Sequence, residues 1–127
     1  MTTFATERSP DGRLTLIADE CVNPDGTLGV AIGFNDAPWH IHPPEHIDGT
    51  ALAQKWARDL VADVINDRML IVTSRNEEFE EVRLAGSLEF EVDFKDRNES
   101  LEFRFWSGQV VSLEDLIDEK VSYLPLS

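Results

Sequence analysis

Three histidines lie within seven residues of one another in this chain. They are His40, His42 and His46, with Glu45 among them. Imidazoles at positions i and i+2 share one face of an extended segment, and a third imidazole four residues later could complete a set of three nitrogen ligands. Catalytic zinc uses three protein ligands and one open position, and a nearby glutamate can act as general base toward a metal-bound water. This spacing predicts a site for a divalent transition metal such as zinc.

The prolines between these histidines favour a different interpretation. Pro43-Pro44 favours a polyproline II path, on which His46 is rotated by about 120° relative to His42. Three prolines in the segment 35–47 also exclude a helix interior and a central strand. A loop of this kind would let the histidines bond backbone carbonyls or contact a partner protein. The sequence leaves the metal site and the loop contact open as alternatives, and it predicts no cofactor if the loop contact is correct.

The acidic residues are the second group from which a function can be predicted. The chain has 25 Asp and Glu against 11 Lys and Arg, a formal net charge of -14. Residues 88–95 and 101–106 alternate apolar and polar side chains, which predicts a hairpin with one oily face and one charged face. Such a face is either a solvated surface or a docking surface for a basic protein. The predicted partner-binding residues are Glu89, Glu91, Asp93, Glu102, Arg104, Trp106 and, from the proline-rich loop, Trp39.

The same composition excludes several function classes. A strongly negative field repels phosphate backbones and anionic lipid surfaces, so we expect neither a nucleic-acid partner nor a membrane. A nucleophile elbow and a Gly-rich phosphate loop are both absent from the sequence, so we expect no enzyme activity outside the metal alternative. The single Cys21 and the lack of a secretory pattern predict a reducing, cytoplasmic location.

The elements that must position these residues follow from turn signals and periodicity. The length of 127 residues predicts a single α+β domain spanning 1–127. Two similar turn motifs, Ser9-Pro10-Asp11-Gly12 and Asn23-Pro24-Asp25-Gly26, separate three strand-like segments and predict a meander. Apolar residues at spacings of three and four predict one long helix from Ala51 to about Asp67. The predicted strands are Thr3–Arg8, Leu14–Ala18, Leu28–Phe34, Met69–Thr73, Leu88–Lys95 and Leu101–Trp106, and the acidic segment Glu77–Leu84 is either a half-exposed strand or a turn.

A short C-terminal helix completes the predicted fold. Ser112-Leu113-Glu114-Asp115 resembles a capping box, which predicts a helix that runs to about Lys120. The predicted architecture is therefore an antiparallel sheet of six or seven strands packed against one long helix, with this short helix at the C-terminal end. Because an open hairpin edge can pair with a second copy, we expect a monomer or a weak homodimer.

In size, charge and layout, this small acidic α+β chain resembles the immunity proteins of bacterial toxin systems. The likeness lies in those general properties, and no motif or individual residue carries it. It implies a non-enzymatic protein that docks on a basic toxin and inhibits it. The metal-binding module at the histidines remains the alternative function.

Overall fold

The protein contains two small antiparallel sheets instead of one large sheet. A computed structural model describes residues 2–34, 39–47, 49–75, 80–95 and 100–126, which hold eight strands and three helices. The α+β class is confirmed, and the predicted single sheet of six or seven strands is wrong, since each sheet has four strands. The chain divides into two compact units, Met1–Ala62 and Asp63–Ser127, called here the first and second units. The single domain over 1–127 stays a prediction.

The first unit contains the meander that the turn motifs predict. Its sheet has the order β1-β2-β3-β4 with antiparallel pairing throughout. Gly12 and Gly26 close the two hairpin turns, each donating its N–H to a carbonyl three residues earlier at 2.9 Å. Both glycines have a positive φ, 73° and 86°, which other residues adopt at a cost. The strands are β1 (Thr2–Arg8), β2 (Thr15–Val22), β3 (Leu28–Phe34) and β4 (His40–Ile41).

The predicted long helix is confirmed as α1 (Thr50–Ile65). This helix contributes Ala53, Ala57 and Val61 to the core of the first unit. These three residues recur every four positions, and all are buried. Gln54 of α1 donates a hydrogen bond to Glu20 of β2, and the Arg58 guanidinium lies 5.5 Å from the centre of the Phe4 ring. None of the helices in the described part of the chain is both long and apolar enough to cross a lipid bilayer.

The second unit has a four-stranded sheet with two short helices. The strand order is β6-β5-β7-β8, again antiparallel at every pairing. Its strands are β5 (Ile71–Arg75), β6 (Glu80–Leu84), β7 (Ser100–Arg104) and β8 (Val110–Val111), and its helices are α2 (Leu88–Lys95) and α3 (Leu113–Ile117). The capping prediction for α3 is confirmed, since the Ser112 hydroxyl accepts a hydrogen bond from the Asp115 N–H at 3.1 Å. The buried residues of its core are Leu70, Val72, Ala85, Phe103, Phe105, Val111, Leu113 and Leu116.

The segment Leu88–Lys95 is a helix, so the predicted strand there is wrong. The Ser87 hydroxyl accepts a hydrogen bond from the Phe90 N–H at 3.3 Å and caps the first turn of α2. Leu88 and Val92, four residues apart, pack against the core of the second unit. The i, i+4 spacing of Leu88 and Val92 therefore places both side chains on one face of a helix, and α2 is the helix that the predicted architecture lacked.

Candidate functional site

The histidine-bearing segment lies at the edge of the first sheet, held there by a close backbone approach. Residue pairing joins Gly33 of β3 to His40 of β4. A Cβ atom at Gly33 would lie 2.8 Å from the Trp39 carbonyl oxygen, so only glycine leaves room for this approach. The half-buried Trp39 ring stacks on the buried Phe34 ring, with centroids 6.3 Å apart and planes at 29°. Trp39, predicted as a partner contact, is thus anchored to the core of the first unit.

The structure brings two of the three histidines together. The rings of His40 and His42 have centroids 5.1 Å apart and planes at 89°. The Nδ1 atom of His42 lies 3.0 Å from the Val30 carbonyl oxygen; the neutral tautomer that donates this bond keeps an acceptor lone pair on Nε2. His46 lies in an exposed turn. Within the described residues, no three His, Cys, Asp or Glu side chains converge in a way that could hold a metal ion.

A cleft of about 550 Å³ in the first unit has His42 in its lining. Its walls are the β2–β3 turn, the loop that follows His42, and the first turn of α1. The cleft brings His42 and Glu45 together with Asp25, which sequence reasoning treated only as a turn residue. The Thr27 hydroxyl and N–H both donate to Oδ1 of Asp25, at 2.6 and 3.0 Å, and these hydrogen bonds lower the pKa of that carboxyl. The cleft is therefore rich in hydrogen-bond acceptors.

The predicted acidic strand face is not formed, because residues 88–95 are helical. Glu89 is exposed on α2, whereas Glu91 is completely buried. Glu102 is half-buried on β7, and the side chain of Asp93 lies outside the described part of the structure. These residues therefore do not stand side by side at strand spacing, and Glu91 is inaccessible to a partner.

Glu91 instead anchors the interior of the second unit. Its two oxygens accept hydrogen bonds from Nη1 and Nη2 of Arg83 on β6, each at 2.7 Å. The Gly86 N–H donates to the same carboxylate at 3.1 Å. The Tyr123 hydroxyl donates to the Gly86 carbonyl at 2.6 Å, and burial, followed by the negative charge of Glu91, raises the pKa of Tyr123. A bidentate ion pair thus joins β6 to α2.

Arg104 and Trp106 are also buried, which corrects their predicted place on a docking face. Arg104 donates through Nε to the Phe105 carbonyl at 3.1 Å and through Nη2 to the Trp106 carbonyl at 3.0 Å. Gly108 closes the same turn by donating its N–H to the Phe105 carbonyl at 3.0 Å. The arginine therefore fixes the β7–β8 turn, and this turn carries Trp106 inward.

A groove of about 420 Å³ lies along β7, β8 and the start of α3 in the second unit. Its carboxylates are Glu102 and Glu114. Arg75, the basic residue among the described lining residues, forms an ion pair with Glu80 at 2.8 Å. Val110 of β8 is 62% exposed at this groove. The groove therefore combines a negatively charged lining with an exposed apolar side chain.

Sequence reasoning identified Glu102 of this groove and missed Glu114 and Val110. The available signal was the capping motif, which places Glu114 in the first turn of α3. Nothing local in the sequence indicates that this helix start meets β7, since that contact depends on the fold. The same holds for Asp25 and Glu45, which lie twenty residues apart in the chain and line one cleft.

Comparison with known proteins gave no match, either to a protein-family model, to a curated protein or to a solved structure. The geometry of the chain itself therefore carries the functional proposal.

Proposed function

We propose that this chain is a non-enzymatic binding protein that docks on a basic protein and inhibits it, in the manner of an immunity protein acting on a bacterial toxin. The charge distribution supports a basic partner. The second unit holds sixteen acidic and seven basic residues. Arg83, Arg104 and Glu91 are buried, and setting these three aside leaves fifteen acidic residues against five basic ones.

The observation that carries the proposal is the groove lined by Glu102 and Glu114. Its basic residue, Arg75, forms an ion pair with Glu80. A concave surface with an excess of negative charge attracts a positively charged surface. Covering a basic surface of a toxin would block whatever anionic substrate that surface binds. The proposed location of the protein is the cytoplasm, because a reducing compartment would keep the free Cys21 as a thiol.

Charge reversal in the groove tests this proposal. The partner is first captured from the native cell with elution by increasing salt, then purified, and its activity is measured with and without this chain. The variant Glu102→Lys plus Glu114→Lys is expected to weaken the affinity by about tenfold or more, because attraction at two positions becomes repulsion. Affinity is measured by calorimetry at low ionic strength.

The matched control is Glu7→Lys plus Glu45→Lys, which changes the net charge equally at two exposed positions of the first unit. It is expected to weaken binding much less. Equal weakening by both pairs would show that net charge alone matters, and a partner whose activity is unchanged by the chain would contradict inhibition.

The histidine pair supports a metal-binding module as a second candidate function. Two imidazoles that bind one tetrahedral ion through nitrogens about 2.1 Å away have ring centres roughly 5 Å apart. The ring centres of His40 and His42 lie 5.1 Å apart. Titration with zinc chloride tests the candidate: His42→Ala should abolish binding, while His46→Ala should leave it unchanged. No heat of binding for the unaltered protein would eliminate this function.

A further inference from the structure

We propose that a basic, extended segment of the partner adds to the second sheet as a strand beside β7, in the position that β8 would occupy if it were longer. This inference rests on the proposed function, since it names how the acidic groove engages its partner. It also assigns a role to backbone groups of β7 that the charge argument does not use.

The two strands that flank β7 pair with it over unequal lengths. Strand β5 pairs with β7 along its whole length, from Ser100 to Arg104. Strand β8 pairs only with Phe103 and Arg104. On the β8 side, β7 is therefore paired only at its C-terminal end, and its residues before Phe103 have no partner there among the strands that the structure describes.

The backbone N–H and C=O groups of Leu101 point toward the β8 side of β7. The Phe105 N–H donates to the Gln109 carbonyl at 2.9 Å, so residue 105 turns its hydrogen-bonding groups toward the β8 side. Backbone groups in an antiparallel strand alternate sides with a period of two. Phe103 and Leu101 therefore turn their N–H and C=O groups toward the β8 side as well.

Strand β8 ends before it comes to lie opposite Leu101. Continuing the register of Phe103 with Val111 would place residue 113 opposite Leu101. Leu113 is instead the first residue of α3, and Ser112 caps that helix. In the described part of the chain, no backbone hydrogen bond joins Leu101 to a residue on this side. The groove occupies this position, with Leu101 and Leu113 both in its lining.

Charge decides which occupant fits. The groove carries Glu102 and Glu114, and it exposes the apolar Val110. A second copy of the chain would bring a net charge of -14 against the same carboxylates, so self-pairing is disfavoured. An extended segment that alternates basic and apolar side chains would bond the open backbone groups of Leu101 and turn its basic side chains to the sheet face that carries Glu102.

The test uses the full chain, isotope-labelled for NMR, and a blocked synthetic heptapeptide, Lys-Val-Lys-Val-Lys-Val-Lys. Binding is expected to slow hydrogen exchange of the Leu101 amide by about tenfold or more, because the new strand would bond it. Two further peptides carry N-methyl groups on their valines or on their internal lysines. Each loses the N–H donors of one edge while keeping its charge, so one should bind about tenfold more weakly and the other nearly as the parent does.

The outcomes separate this inference from the proposed function. Equal binding by the two N-methylated peptides, or an unchanged Leu101 exchange rate in the complex, would overturn strand addition. If Glu102→Gln plus Glu114→Gln still weakens peptide binding in that case, the acidic docking surface stands without the strand. Peptide binding that is indifferent to those two substitutions would overturn both.

Discussion

The placement of a single carboxylate, that of Glu91, decides much about the second unit. Its side chain is completely buried and bonded at both oxygens to Arg83, which is itself buried. A buried ion pair contributes little net stability relative to a well-packed apolar pair, but breaking it leaves one charge without its partner in a low-dielectric interior. The second unit is therefore expected to lose stability when one of the two residues is removed without the other.

We predict that Glu91→Ala lowers the free energy of unfolding by about 3–5 kcal/mol, because it leaves the Arg83 charge buried and uncompensated. Urea unfolding measures this loss. The matched control is Glu89→Ala, two residues earlier on α2 at an exposed position, which should change stability by about 0.5 kcal/mol or less. The double replacement Arg83→Met plus Glu91→Leu should recover much of the loss. Equal effects at positions 89 and 91 would contradict the burial of Glu91.

Tyr123 gives a prediction about alkaline pH. Burial and the nearby Glu91 charge raise its pKa above the ordinary value of 10.0. The folded protein therefore holds the phenol proton more tightly than the unfolded chain does. This contribution to stability is complete below about pH 10 and is lost as the pH rises from there through the folded pKa. Tyr123→Phe should flatten this alkaline loss in unfolding measurements.

The chain contains one tyrosine, so ultraviolet absorbance of the tyrosinate reports its ionisation without overlap from another phenol. We expect a midpoint above that of the urea-unfolded chain. Identical midpoints for the folded and unfolded protein would contradict the raised pKa.

Among the elements, those with local signals were predictable from the sequence. The Pro-Asp-Gly turns fix the hairpins of the first unit, and Ser112 fixes the start of α3, because each signal acts within a few residues. The apolar stripe of α1 acts over the length of one helix. Segment 88–95 could not be predicted, since its alternation satisfies a strand and Arg83, the buried partner of Glu91, lies outside the segment. The division of the strands into two sheets depends on still more distant contacts.

The approach of β4 to β3 gives a prediction at this scale. Gly33→Ala would place a Cβ atom 2.8 Å from a backbone oxygen of Trp39, and backbone cannot rotate away as a side chain can. We expect a loss of about 1–3 kcal/mol in unfolding free energy. Trp39 should also lose its stacking on Phe34, with a change in tryptophan fluorescence.

Gly29→Ala on the same strand is the matched control. Its Cβ atom would meet the end of the Asn23 side chain, 2.9 Å away, which can turn aside. A smaller loss is expected there. If Gly29→Ala were as costly as Gly33→Ala, the close backbone approach at β4 would not be the cause.

Across the whole molecule, charge was the property most accessible from the sequence, because formal charges add regardless of fold. The first unit has nine acidic and four basic residues, and the second has sixteen and seven. What the sequence could not predict was which charges reach the surface. Glu91 and Arg104 belonged to the predicted docking face and are buried, whereas Glu102 and Glu114 line a groove.

This imbalance predicts a strong salt dependence of binding to the basic partner. The screening length falls from about 30 Å at 0.01 M salt to about 8 Å at physiological ionic strength. The association rate should therefore fall by about tenfold or more over that range, while the dissociation rate changes much less. Stopped-flow kinetics measures both rates. An association rate indifferent to salt would contradict electrostatic docking.

The contact between Arg83 and Glu91 also limits how this sequence can drift over generations. A variant that replaces either residue alone keeps a buried charge without its partner. Selection should therefore remove most such single substitutions before a second one occurs. Accepted replacements at positions 83 and 91 are therefore expected to appear jointly, or as two apolar residues of similar volume. Exposed positions such as Glu89 should vary independently of both.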